Sequence, residues 1–155
     1  MLRFSLCSAA ALLACSLGSA LAAERSTVYD EMIARHARAH GVPEAFVHHM
    51  IMRESRYNPR VVHKNCWGLL QIKPATARSM GFGGDPRRLL DPETNLTYAV
   101  PYLANAYKIA GGNEAQATAL FSSGYYHAAK RKRMLGALHT ALAPRLEPNA
   151  PSSVQ

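Results

Sequence analysis

The segment AFVHHMIMRESRYNP, residues 45–59, places a carboxylate where a helix would put a core side chain. Val47, Met50 and Ile51 stand at i, i+3 and i+4, and the next position on that face, i+7, is Glu54. An ionised carboxylate on an apolar face loses hydration, so its pKa is expected to rise. A carboxyl group that stays protonated near neutral pH can donate a proton to a reacting atom. Cleavage of a glycosidic bond is chemistry of that kind, because an alkoxide leaves poorly unless it is protonated. The same residue can instead turn outward at a helix end and pair with Arg53 or Arg56, and periodicity alone leaves both readings open.

Other reactive residue types offer less. Cys66 has no base that the sequence assigns to it, and a small apolar filler is the simpler reading. His36 and His40 are spaced i, i+4, but no His-Glu-x-x-His pattern and no third ligand accompany them. No metal site and no cofactor are expected.

The elements that must position Glu54 read as helices joined by short turns. A first helix is predicted over residues 28–40, closed by Gly41, and a second over residues 43–56, with Pro43 in its first turn. YNPRVVHKNCWGLLQIK follows as a loop, with a short hairpin around residues 68–72. Pro74 opens a helix to residue 80, and GFGGDPRR reads as a flexible connection. Asp91-Pro92-Glu93 combines a cap, a proline at the first helical position and an acid in the first turn. That helix should run to Ile109, with Pro101 predicting a kink inside it. Residues 114–123 and 127–142 complete the set. The fold class is mainly α, in a single domain.

The chain has 155 residues, is 48% hydrophobic and carries a formal net charge of +8. That allows one domain with its own core. It starts with a basic Met1-Leu2-Arg3, an apolar run and Ala20-Leu21-Ala22, the pattern of a cleaved secretory signal. An N-terminal membrane anchor is an alternative, and Leu12-Leu13-Ala14-Cys15 offers a lipoprotein reading through Cys15. The expected organisation is a signal peptide over residues 1–22, a catalytic domain over 23–142 and a disordered tail over 143–155. The location is then the periplasm. Cys66 remains as the lone cysteine after cleavage, so no disulfide framework is expected. The positive charge favours acidic partners such as cell-wall polymers or anionic membranes. Its densest cluster, residues 130–133, lacks interleaved aromatics and reads as a solvated helix face, and no nucleic-acid module signature is present.

Several blocks of this chain resemble the soluble lytic transglycosylase domain, a lysozyme-like family. They are Glu54-Ser55, Asn58-Pro59, Gly68-Leu69-Leu70-Gln71 with Pro74, Thr76 and Ala77, and Asp91-Pro92 with Asn95. They match the family's Glu-Ser, Asn-Pro, Gly-Leu-Met-Gln-x-x-Pro-x-Thr-Ala and Asp-Pro-x-x-Asn in the same order. The resemblance implies a lysozyme-like fold. It also implies cleavage of the β-1,4 bond between N-acetylmuramic acid and N-acetylglucosamine, with formation of 1,6-anhydromuramic ends. Glu54 would be the single acid and base, and the glycan strand of peptidoglycan the partner.

Gln71 and Ser55 fall on matched positions and are candidates for substrate binding, although Gln71 can equally serve as a turn-stabilising amide. Trp67 can stack on a sugar or pack in the core. Two departures stand out. The family's serine before Gly-Leu-Met-Gln is absent from VVHKNCWG, leaving His63, Lys64 or Asn65 to orient the acid. The family's Ala-Tyr-Asn-Ala-Gly falls on Leu120-Phe121-Ser122-Ser123-Gly124. Phe121 has no hydroxyl there, Ser122 replaces the asparagine, and Tyr125 and Tyr126 are the phenols next in sequence. A hydrolytic lysozyme and a wall-binding or assembly protein are the competing functions. A monomer is expected, with a cell-envelope secretion apparatus open as a further partner.

Overall fold

A computed structural model describes residues 28–138. The first helix, α1, covers residues 28–40 and ends at Gly41, whose φ of 64° lets Val42 donate its N–H back to the Ala37 carbonyl at 3.1 Å. Helix α2, Glu44–Ser55, buries Phe46, Val47, Met50, Ile51 and Ser55. It stops because Arg56 and Tyr57 both take left-handed backbone, with φ of 51° and 58°. Such geometry is unfavourable for side chains with a Cβ and here has compensation. Arg56 donates its N–H to the Met52 carbonyl, and the Tyr57 phenol lies 2.8 Å from Nδ1 of the half-buried His48, nine residues back in α2.

A two-stranded antiparallel hairpin follows, formed by β1 (Val62–His63) and β2 (Cys66–Trp67). It lies earlier than the predicted position around residues 68–72. Lys64 and Asn65 supply the positive φ values, 47° and 62°, that a two-residue hairpin turn needs. Residues 68–71 form the next turn instead, closed by a single bridge between Trp67 and Ile72.

That second turn is held from outside itself. Asn95 is fully buried and its amide is satisfied at both ends. Its Nδ2 donates to the carbonyls of Trp67 and Leu89 at 2.8 and 2.9 Å, and its Oδ1 accepts the Leu70 N–H at 3.0 Å. Gly68 lies directly under this amide at φ 72°, and a Cβ there would collide with the Leu89 carbonyl and the Asn95 amide. The burial also makes the Asn-x-Thr triplet at Asn95 inaccessible to modification.

Helix α3, Pro74–Ser79, leads into the glycine-containing connection. The second half of that segment, expected to be flexible, is a 3₁₀ turn over Pro86–Leu90. Asp85 caps it by accepting the Arg87 N–H at 2.8 Å, and the buried Leu89 anchors it to the core. Helix α4, Pro92–Ile109, begins as the sequence indicates, with Asp91 accepting the Thr94 N–H at 2.8 Å. It continues through the buried Pro101. Helix α5, Glu114–Ser123, packs against α4 and is capped by Asn113.

The last helix is shorter than predicted. Helix α6 covers Tyr126–Arg131, and a 3₁₀ turn over Leu135–Ala137 follows. Arg133 turns left-handed, with φ 56°, and the Met134 N–H closes the end onto the Ala129 carbonyl at 2.9 Å. The Lys132 ammonium meanwhile donates to the Ile109 carbonyl at 2.7 Å, satisfying the C-terminus of α4. Lys132 therefore belongs to a tertiary contact, while Lys130, Arg131 and Arg133 are exposed as a solvated face would be. The signal, tail and Cys15 readings lie outside the described residues.

One contiguous apolar cluster joins these elements. Ile33, Val47, Ile51, Leu69, Leu70, Leu89, Leu96, Val100 and Leu103 are all completely buried in it. The fold is mainly α with one small hairpin, as the sequence predicts, and α4 carries most of the central packing.

Candidate active site

A cleft of about 240 Å³ opens beside the end of α2. Glu54 forms one wall, and Cys66, Gln71 and Ile72 contribute from β2 and the turn after it. Lys73 and Thr76 come from the start of α3, Tyr102 from α4, and residues 121–124 from the end of α5. Four separate elements thus converge on one carboxylate.

The placement of Glu54 follows from the α2 stripe. Val47, Met50 and Ile51 are pinned in the core, which turns the same face toward the cleft one turn later. The Glu54 side chain keeps only 21% of its exposure. Burial pushes its carboxyl above the ordinary carboxylate value, and the neighbouring Arg53 guanidinium pulls it back by less. Arg53 Nε lies 3.7 Å from Glu54 Oε1, too long for a hydrogen bond, and half of the arginine side chain is in solvent. The outward-facing ion pair considered above is thus present only as a weak contact at the cleft edge.

Gln71 lines the cleft in left-handed backbone, φ 46°. Its Nε2 donates to the Val61 and Gly68 carbonyls at 3.0 and 2.9 Å. Two carbonyl acceptors fix which way the amide points, and its Oε1 is left to accept from a ligand. The turn-stabilising and ligand-facing readings of Gln71 therefore coexist. Ser122 also lines the cleft, its hydroxyl donating to the Thr118 carbonyl at 3.1 Å.

The remaining candidates lie elsewhere. Ser55 is buried and donates to the Ile51 carbonyl at 3.2 Å, within its own helix. Trp67 is half-buried against the core and donates to Asn65 Oδ1 at 3.1 Å. Tyr125 is buried behind the cleft, where Asn105 Nδ2 donates to its hydroxyl at 3.0 Å. Burial raises its pKa to about 12, with the Asn105 bond lowering it and the Tyr102 phenol beside it adding to the rise. Tyr126 is 58% exposed and outside the cleft. His63, Lys64 and Asn65 are exposed on the hairpin turn and do not line the cleft.

Tyr102 is the phenol that the sequence reading overlooked. It lines the cleft, meets Phe121 edge-on at 5.4 Å between ring centres and lies 4.6 Å from the Tyr125 ring. Burial raises its pKa, so it is a neutral donor at working pH. The available signal was its place beside Leu103, at the edge of the buried stripe of α4, where a side chain with a polar tip faces outward from the core. Lys73 and Thr76 also escaped notice as site residues, since only the fold carries them to Glu54.

The acids that compete for a second catalytic role are engaged elsewhere. Asp85 and Asp91 cap the 3₁₀ turn and α4. Glu93 pairs with Arg35 and accepts a hydrogen bond with His36 Nε2 at 2.9 Å. The cleft thus holds one carboxyl among the described residues, raised toward its neutral form, facing neutral hydrogen-bonding groups and one lysine. Such an arrangement can protonate an oxygen of a neutral polar ligand and then take back a proton as a carboxylate.

A family model described as Transglycosylase SLT domain matches residues 31–142. The soluble lytic murein transglycosylase of Escherichia coli (strain K12) is 32% identical over 107 residues, covering 64% of this chain and 16% of the relative. The protein of that name from Salmonella typhimurium is 30% identical over 103 residues, 62% of this chain and 16% of the relative. A membrane-bound lytic murein transglycosylase C from Cronobacter sakazakii is 34% identical over 89 residues, 52% of this chain and 25% of the relative. The chain therefore corresponds to only a small part of each of these proteins.

Proposed function

This chain belongs to the transglycosylase SLT domain family, and from that membership we propose that it is a peptidoglycan lytic transglycosylase acting through Glu54. The observation that carries the reading is a cleft with a single carboxyl among the described residues, raised by burial, with Asp85, Asp91 and Glu93 committed to caps and an ion pair. A glycosidase of the usual kind needs two carboxyl groups flanking the bond. One group suffices when the second nucleophile belongs to the substrate.

The neutral Glu54 carboxyl protonates the oxygen bridging N-acetylmuramic acid and N-acetylglucosamine as the bond from C1 to that oxygen breaks. The muramyl C6 hydroxyl then attacks C1 and gives its proton to the Glu54 carboxylate. The acid is regenerated, and the products are a free 4-hydroxyl and a 1,6-anhydromuramic end, with no water consumed. Gln71 Oε1 accepts from an acetamido N–H, and Ser122 contributes a second polar contact at the cleft wall. The neutral Tyr102 phenol is placed to donate to the strand or to the acid.

Among the described residues no helix is long and apolar enough to cross a membrane. Access to peptidoglycan requires export, and the leader pattern in residues 1–22 supports it. Digestion of purified peptidoglycan followed by mass analysis tests the activity. Muropeptides one water lighter than hydrolysis products support the transglycosylase. Reducing ends of full mass identify a muramidase, and binding without products identifies a wall-binding protein.

A further inference from the structure

Lys73 is the second charged side chain of the cleft, and nothing in the described chain engages it. It is exposed, and its ammonium has no ion pair or hydrogen bond among the described residues. It occupies one of the unspecified places in Gly-Leu-Met-Gln-x-x-Pro, so it is a property of this chain and not of the pattern. Lys73 stands at the N-terminal end of α3 and lines the same cleft as Glu54, so a strand bound across Glu54 passes this ammonium.

The disaccharide repeat offers hydroxyl and acetamido groups, which are neutral. The negative charges of the polymer are the carboxylates of the peptide stems on the muramyl sugars. We infer that Lys73 is a specificity residue that pairs with a stem-peptide carboxylate, so that the cleft selects strands whose stems are ionised over strands whose stems are amidated. The inference rests on the peptidoglycan reading of the cleft. It adds that the peptide, and not the sugar alone, is recognised. The contact is solvent-accessible, so it is worth what an exposed ion pair is worth and is screened by salt.

The experiment compares native peptidoglycan with the same material after carbodiimide-driven conversion of its carboxylates to primary amides, which keeps the size and removes the charge. The wild-type KM is expected to be about two- to fivefold lower on the native wall at low ionic strength, and the difference should shrink near about 0.5 M salt. In Lys73→Gln the ratio of the two KM values should fall to about one, while Lys73→Arg retains it. A wild-type ratio of one, or a Lys73→Gln variant that keeps the wild-type ratio, overturns the inference. Co-sedimentation of Glu54→Gln and of Glu54→Gln with Lys73→Gln on the two walls reads the same preference without turnover. Carboxylate-dependent binding in the first and not in the second upholds Lys73 even if no bond is cleaved by the wild type. Equal binding to both walls by the first overturns it.

Discussion

Replacement of Glu54 by glutamine keeps the shape of the side chain and removes the proton that it can transfer. The carboxyl is 21% exposed, lies in a cleft where four elements converge on the end of α2, and has no second acid beside it among the described residues. General acid–base catalysis contributes roughly 10²–10⁴-fold to a rate, and in the proposed mechanism one group serves in both the protonation and the deprotonation step. The kcat of Glu54→Gln on peptidoglycan is therefore expected to fall by at least about 10³-fold, equivalent to about 4 kcal/mol of barrier. The far-UV circular dichroism spectrum should not change. Stability supplies a second, independent readout. Glu54 has a folded-state pKa raised above its unfolded value. Below the unfolded pKa the group is neutral in both states, and its full stability is present. As pH rises through the folded pKa, the ionised form is disfavoured in the fold and that stability is lost. The glutamine variant lacks this loss, so it should match the wild type at low pH and exceed it above the folded pKa of Glu54. Urea unfolding at pH 4 and pH 8, together with turbidity clearance and mass analysis of products, measures both effects. Wild-type turnover by Glu54→Gln would refute the assignment, and an identical stability difference at both pH values would refute the burial argument.

Further outcomes follow from the same structure. Asn95→Ala should destabilise the fold by about 3 kcal/mol, since it strands the buried Leu70 N–H and the Leu89 carbonyl, and a urea midpoint close to that of wild type would contradict this. Gly68→Ala should be at least as damaging, because the residue is left-handed and its Cβ would meet the Leu89 carbonyl and the Asn95 amide; a well-folded variant with an unshifted melting temperature would show that the turn can move. Asp91→Ala should cost about 1 kcal/mol by uncapping α4, measurable as a small loss in thermal midpoint with cleavage retained. Mass spectrometry of the exported protein should give Ala23 as the mature N-terminus, whereas an acylated Cys15 would identify a lipoprotein.

Much of this protein is written locally. The Val47, Met50, Ile51 stripe, the Asp91 cap with Pro92, and the Gly41 stop each depend on residues within one or two turns of one another, and each forms where the sequence predicts. The position of Glu54 on the cleft wall is legible for the same reason, since a helix carries its periodicity with it. Short-range signals fail where a partner is distant in the chain. The hairpin lies at residues 62–67 and not at 68–72, because Asn95, more than twenty positions away, takes the second turn for itself. Helix α6 ends early, where Arg133 turns left-handed and Lys132 reaches the distant end of α4. The phenol of the cleft belongs to Tyr102 and not to Tyr125, although the latter stands next to Ser122-Ser123-Gly124 in the chain. The packing of α4 against α5 turns Tyr125 inward to Asn105 and leaves Tyr102 at the cleft wall. By itself, the sequence determined most of the helices, the family and the candidate carboxyl. Which neutral groups and which cation surround that carboxyl was decided by side-chain packing between elements far apart in the chain, which no local spacing encodes.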